Sequence, residues 1–162
     1  MIKEIDLRNS SLAAELFALQ TAAYLVEAEL IDFYDIPPLK ETLEDLILCG
    51  ETFLGYFQEE GVLAGAASYT ISENELTICR MTVHPRYFRQ GIARKLLRAI
   101  EESHSQISFV LVSTGADNMP AKNLYLQNGF ELTEDTEAAP GFFISHFEKR
   151  MVRELDSTKS RN

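Results

Sequence analysis

Between Leu76 and Val83 the side chains alternate in a β-branched, half-apolar run: Leu76, Ile78, Arg80 and Thr82 fall on one side, Thr77, Cys79, Met81 and Val83 on the other. That pattern predicts a strand, and Pro85 ends it because proline has no N–H for a ladder. From Gly91 the period changes. Ala93, Leu96, Leu97 and Ile100 stand at i, i+3, i+4 and i+7 and form one apolar stripe, with Arg94, Lys95 and Arg98 off it, so a helix starts at about Gly91.

Upstream, Ile2 to Leu7 alternates as a first strand. Ser10 or Ser11 can cap a helix that carries Leu12, Leu16, Leu19, Ala23 and Val26 and runs to about Leu30. Ile31 to Pro38 reads as a loop, and a second helix is expected from Leu39 to Cys49, closed by Gly50. Phe53–Gln58 and Val62–Ile71 form a hairpin turned by Glu59-Glu60-Gly61, and with Leu76–Val83 they make an antiparallel meander. Ile107–Val112 is a buried strand, Asn118–Asn128 a helix, and Phe130–Thr133 and Phe142–Phe147 the last two strands. The order β-α-α-β-β-β-α-β-α-β-β describes a mixed α/β sheet. It fills one domain over residues 1–150, followed by a charged, flexible tail at 151–162.

Composition narrows the function. A chain of 162 residues with 46% hydrophobic content supports one domain with a real core. The apolar runs are too short to cross a bilayer, and Met1-Ile2-Lys3-Glu4 lacks the basic-then-apolar order of a signal peptide; the expectation is a soluble, cytoplasmic protein with no membrane partner. A formal charge of −10 argues against a nucleic-acid partner and is compatible with a cationic substrate. Cys49 and Cys79 lack metal-ligand spacing and read as two buried reduced thiols, with no metal expected.

The strand, the short basic loop and the glycine-opened helix together present backbone N–H groups at the positive end of a helix, a geometry suited to phosphate. An ordinary strand-loop-helix connection has the same outline. A second segment bears on the choice. Asn118-Met119-Pro120-Ala121-Lys122-Asn123-Leu124-Tyr125-Leu126-Gln127-Asn128-Gly129-Phe130 opens with an N-cap residue, places Pro120 in the first turn and stops at a glycine. By itself Tyr125 could be a core aromatic with its hydroxyl at the surface.

Together the two segments resemble the GNAT superfamily of N-acetyltransferases. Its later helix reads Asn-x-x-Ala-x-x-Leu-Tyr-x-x-x-Gly-Phe, matched here at Asn118, Ala121, Leu124, Tyr125, Gly129 and Phe130. Its acyl-CoA loop, Arg/Gln-x-x-Gly-x-Gly/Ala, is matched at Gly91 and Ala93, with Val83 and Pro85 before it. The chain departs from that loop at Phe88, where the pattern opens with Arg or Gln, and at Arg89, where many members carry glycine.

The resemblance implies direct acetyl transfer from acetyl-CoA to a primary amine of a small molecule or peptide N-terminus, in a ternary complex. Splayed central strands would hold the cofactor arm along Met81, Thr82 and Val83. Arg89, Gln90, Gly91, Ile92, Ala93 and Arg94 would cradle its pyrophosphate, with Asn118, Ala121 and Tyr125 completing the cofactor site. Tyr125 would be the general acid. Some relatives place a glutamate midway along the central strand, but Leu76–Met81 holds no carboxylate. The candidates for a base are then Glu75 at the mouth of that strand, His84 at its far end, and Glu27 and Glu29 on the first helix.

Freeing an amine of pKa about 8 at pH 7 costs only about 1 kcal/mol, against about 4–5 for a lysine of pKa about 10.4, so a site without a strong base favours an α-amine. The family builds its acceptor wall between the first two helices, where Glu27, Glu29, Asp32 and Asp35 could attract a cation and Phe33 and Tyr34 stack on it. The apolar strand Phe142–Phe147 suits either a homodimer interface or the core of its own subunit. The alternative to an enzyme is an acyl-CoA-binding regulator or inactive homologue of the same fold.

Overall fold

The computed structural model describes residues 1–151. Its elements are β1 (Ile2–Ile5), α1 (Ser10–Ile31), α2 (Leu43–Ile47), β2 (Thr52–Phe57), β3 (Leu63–Ser72), β4 (Glu75–Val83), α3 (Ile92–Glu102), β5 (Phe109–Gly115), α4 (Met119–Gln127), β6 (Glu131–Ala139) and β7 (Phe142–Arg150). The expected element order holds. The tail expected at 151–162 lies, from residue 152 onward, outside the described residues.

The strands form one seven-stranded sheet in the order β1-β2-β3-β4-β5-β7-β6. Every neighbouring pair is antiparallel except β4 and β5, which run parallel because α3 carries the chain across between them. That parallel pairing is short: it runs from Glu75 opposite Phe109 to Ile78 opposite Val112. Beyond it β4 stays with β3 as far as Val83, while β5 stays with β7 as far as Gly115. A register shift explains the parting. Ser68 faces Arg80 and Tyr69 faces Ile78, so Cys79 is the extra residue of a β-bulge, which bends and twists its strand.

Leu96, Leu97 and Ile100 of α3 share a core with Tyr125 of α4 and with Leu76, Ile78, Val110 and Val112 of the central strands. On the other face Leu16 and Leu19 of α1 pack with Leu46 of α2, Phe53 and Ala66. Further along α1, Tyr24, Ala28 and Ile31 close over Ile36, with Phe33 and Phe142 at the margin.

Several local expectations are corrected. Helix α1 is capped by Asn9, whose Oδ1 accepts the Leu12 N–H at 3.1 Å, and not by Ser10 or Ser11. Its buried stripe is Ala13, Leu16, Gln20, Tyr24, Ala28 and Ile31, so Tyr24 and Ala28 hold the places expected of Ala23 and Val26. The helix expected over Leu39–Cys49 is a 3₁₀ turn at Pro37–Lys40 and then α2, because Thr42 and Asp45 form a capping box that starts a new helix after extended Glu41. Neither cysteine is fully buried: both are free, Cys49 half-buried and Cys79 exposed at the bulge. Strand β6, expected to end at Thr133, runs on to Ala139 as an acidic, exposed edge with no apolar alternation. The apolar strand β7 lies between β5 and β6, and its Phe142 stacks on Phe33 of the same chain at 4.6 Å.

Candidate active site

The β4–α3 loop, expected to cradle a pyrophosphate, is shaped by a 3₁₀ turn and two left-handed residues before an uncapped helix. After Val83 the His84 Nδ1 accepts the Arg86 N–H at 3.1 Å and a 3₁₀ turn spans Pro85–Tyr87. Arg89 and Gly91 then adopt left-handed backbone, with φ of 65° and 74°. A Cβ at Gly91 would meet nothing within 4 Å, so glycine is needed there for its backbone angle and not for room. Arg89 takes the same region without that freedom, which accounts for glycine at this place in the family pattern. Helix α3 begins with no side-chain cap, whereas Asn9, Thr42 and Asn118 cap α1, α2 and α4. A buried or ligand-facing helix start needs its first N–H groups satisfied, and a pyrophosphate fits that open donor set.

The second half of the site is the gap between β4 and β5, a cleft of about 160 Å³. Cys79, Arg80 and Met81 form its β4 wall, and Ser113 and Thr114 its β5 wall. Tyr24 and Glu27 come in from α1, and Asn118, Ala121 and Tyr125 from α4. Tyr125 is only 3% exposed, its ring set between Phe130 and Phe147 at 5.5 and 5.8 Å. Burial holds its phenol well above the ordinary tyrosine range, and the nearby Glu27 charge pushes the same way. The hydroxyl is protonated at neutral pH, as an ordinary tyrosine is, and because the shift makes it a weaker acid its use as a proton donor rests on position in the cleft.

Asn118 does two jobs. Its Oδ1 accepts the Ala121 N–H at 3.2 Å and caps α4, while its side chain also hydrogen-bonds Glu27. Glu27 is pushed up by burial, and that hydrogen bond partly opposes the shift.

Arg80 sits mid-strand and is fully engaged. Its Nε donates to Glu51 at 2.9 Å, its NH2 group to Glu41 at 2.8 Å and Glu51 at 3.2 Å, and its NH1 group to Glu41 and to Gln20. Ser68 adds a hydrogen bond to Glu51 at 2.6 Å. Burial pulls the guanidinium down, but the hydrogen bonds it donates to Glu41 and Glu51 hold it above its ordinary range. All five N–H donors of the guanidinium have acceptors, so Arg80 ties the α1–α2 connection to the sheet and has no donor left for a ligand.

The structure brings Glu27, Met81, Asn118, Ala121 and Tyr125 of the expected residues to one cleft. Gln90, Gly91, Ile92, Ala93 and Arg94 lie at the start of α3, with Arg89 before them. Thr82 and Val83 turn their side chains away: Thr82 is buried with its hydroxyl on Ala66 O, and Val83 packs on the α3 core. Lys95, a neighbour of the cradle, holds its Nζ 5.5 Å over the Tyr56 ring.

Five of the residues expected as acid-base or acceptor groups lie away from the cleft. Glu75 is exposed at the end of β4 where β4 and β5 are still paired, away from their parting. His84 faces Tyr87 beyond the end of β4 and does not line the cleft. Glu29 is exposed, Phe33 is stacked on Phe142, and Tyr34 is 58% exposed, so none of these forms the cleft wall. The residues that sequence reasoning missed are Tyr24, Ser113 and the carboxylates of Glu41 and Glu51. Ser113 lies one residue beyond the strand expected over Ile107–Val112, which in the structure continues to Gly115, and nothing local marked the others.

The acetyltransferase (GNAT) family model matches residues 14–130. The chain belongs to this family of acyltransferases, and its mixed seven-stranded sheet has the acyl-CoA N-acyltransferase fold. The UPF0157 protein YqkA of Bacillus subtilis (strain 168) is 37% identical over 156 residues, 96% of this chain and 45% of that protein. The chain thus spans less than half of that relative's length. Among solved structures, the ribosomal-protein-S18-alanine N-acetyltransferase from Escherichia coli superposes with a TM-score of 0.75 at 16% identity, over 95% of this chain and 96% of that one. The PaiA N-acetyltransferase from Thermoplasma acidophilum, in complex with coenzyme A, gives 0.75 at 20% identity, over 93% and 98%. The yncA structure from Salmonella typhimurium, with its cofactor acetyl-CoA, gives 0.71 at 15% identity, over 95% of each.

Proposed function

We propose that this chain transfers the acetyl group of acetyl-CoA to a primary amine of a small molecule or a peptide N-terminus, directly and without a covalent acyl-enzyme. One observation carries the reading: a protonated, buried phenol, Tyr125, stands in the wall of the cleft that opens where β4 and β5 part.

Acetyl-CoA supplies an acetyl thioester whose leaving group is a thiolate. The uncapped start of α3 and the left-handed turn at Arg89 and Gly91 suit its pyrophosphate. The unpaired edges of β4 beyond Ile78 and of β5 beyond Val112 offer backbone N–H and C=O groups to its amide-rich arm. Tyr125 holds a proton on Oη for the departing thiolate, which a buried hydroxyl does without competition from water.

The acceptor side of the cleft is electronegative. One guanidinium, Arg80, faces two carboxylates, Glu41 and Glu51, and Glu27 adds a further acidic group. Such a surround favours an ammonium over an anionic acceptor. The test is release of free thiol from acetyl-CoA on adding a panel of primary amines: short peptides, amino-acid amides and polyamines. Amine-dependent release is expected. Tight coenzyme A binding without release under any amine would replace transfer by the acyl-CoA-binding, non-catalytic reading.

A further inference from the structure

On the α1 face of the sheet three polar side chains form a chain of hydrogen bonds. Ser113 Oγ lies 2.7 Å from His146 Nδ1, and His146 Nε2 lies 2.8 Å from Thr136 Oγ1. The register makes this meeting obligatory. Ser113 and His146 are paired across β5 and β7, so their side chains leave the same face, while the adjacent pair Val112 and Phe147 points the other way into the core around Tyr125. Ser113 is exposed and lines the cleft, with His146 half-buried behind it.

Both ring nitrogens of His146 are engaged by hydroxyls that can each donate or accept, so the contacts accommodate either neutral tautomer, one of which suits a relay. With Nε2–H donating to Thr136 Oγ1, Nδ1 carries the lone pair and accepts the Ser113 O–H. A ring held in this way is ready to take a proton from the cleft side.

We propose that Ser113 and His146 form the proton relay for the acceptor amine: Ser113 touches the amine, and His146 acts through it. The proposal rests on the acetyl-transfer reading above. In the step, an N–H bond of the ammonium breaks and its proton goes to Ser113 Oγ as the Ser113 O–H proton passes to His146 Nδ1. The nitrogen keeps the freed electron pair for attack, and His146 becomes an imidazolium that still donates from Nε2 to Thr136. The imidazolium returns its proton to solvent after product leaves. Acid and base then enter from opposite faces of the sheet, Tyr125 from the α4 side and His146 from the α1 side, so neither has to reverse its role within one turnover.

The charged groups that bear on His146 come from three elements. On β6 its register partner is Glu134, on β7 Glu148 lies two residues along the same face, and α1 brings Glu27 to the shared cleft. β5 contributes no charge along Phe109–Gly115. Glu27 is therefore the rival base, and the experiment separates the two.

The full chain is assayed by free-thiol release with the amine the panel identifies, across pH, for the wild type and for Ser113→Ala, His146→Gln and Glu27→Gln. Ser113→Ala and His146→Gln are each expected to lower kcat at neutral pH about 10²-fold and to leave the KM for acetyl-CoA within about twofold. Their deficit is expected to shrink as pH approaches the amine's own pKa, where solvent supplies the free base. Glu27→Gln is expected to raise the KM for the amine and to keep the wild-type pH dependence. Coenzyme A binding by calorimetry establishes that each variant is folded.

A deficit equal at every pH, no deficit, or a pH dependence lost only in Glu27→Gln overturns the relay. Wild-type turnover with unaffected variants overturns the relay alone, whereas no wild-type turnover with any amine overturns the acetyl-transfer reading and the relay with it. Independently of any variant, ¹⁵N NMR of the histidine rings in the wild-type protein is expected to find His146 protonated on Nε2. Protonation on Nδ1 in the free protein overturns the relay.

Discussion

Glu27 and Tyr125 ride on helices that pack against opposite faces of one sheet, yet both side chains line the same cleft. This is achieved only because β4 and β5 separate beyond Ile78 and Val112 and open a passage through the sheet. The passage joins the Tyr125 side of the sheet with the side that carries Glu27 and Arg80, which is what the proposed acetyl transfer to an amine requires.

Replacing Tyr125 by Phe removes the proton donor and keeps the ring between Phe130 and Phe147. The expected outcome is a kcat lower by about 10- to 1,000-fold, with the acetyl-CoA KM and the melting temperature little changed. Steady-state kinetics on amine-dependent thiol release measures the first two. Unaltered kcat in an assay limited by chemistry would remove Tyr125 from the acid role.

Glu27→Gln is expected to stabilise the fold in a pH-dependent manner. Burial raises the folded-state pKa of Glu27 above its unfolded value, so the protonated carboxyl is tolerated in the folded state and the carboxylate is penalised there. Below about pH 4 both states are protonated and the variant and wild type melt alike. As pH rises through the folded pKa the wild type loses stability that the variant keeps. Melting temperatures from pH 3 to 8 check the sign, and a variant less stable at pH 8 than the wild type would contradict it.

Arg80→Met is expected to cost about 3–5 kcal/mol, because it leaves Glu41 and Glu51 unpaired at side chains only 17% and 15% exposed. Adding Glu41→Gln and Glu51→Gln to Arg80→Met should recover most of that loss, since no charge is then stranded. Urea unfolding of the single and triple variants is the measurement.

Arg89→Gly relieves a left-handed backbone at φ 65° and is expected to stabilise the chain by about 1 kcal/mol. The same change deletes a cation beside the proposed pyrophosphate cradle, so the KM for acetyl-CoA should rise several-fold. A variant with both stability and KM unchanged would mean that Arg89 neither strains the loop nor meets the phosphates.

Much of the fold was legible in local pattern. The alternation at Leu76–Val83, the stripe at Ala93–Ile100, to which the structure adds buried Ile92, and the capped helix at Asn118 each report one element's own burial. The boundaries around Pro37 to Gly50 were not legible, because a capping box at Thr42 and Asp45 competes with helix continuity and wins locally. The continuation of β6 beyond the expected Phe130–Thr133 escaped for the opposite reason: an exposed acidic edge has no apolar period to read.

The sequence by itself determined the family, the order of elements, the glycine-opened helix and the tyrosine at its place on α4, since all of these are properties of residues within a few positions of each other. The tertiary structure decided which polar groups face one another. The bulge at Cys79 parts the central strands, Arg80 gathers Glu41 and Glu51 from segments 39 and 29 residues away, and the β5–β7 register sets His146 behind Ser113 across a separation of 33. Contacts of that range depend on register and helix packing, which no local spacing encodes. Tyr125, the proposed acid, was therefore visible along the chain, and the groups that share its cleft became visible only when the sheet was assembled.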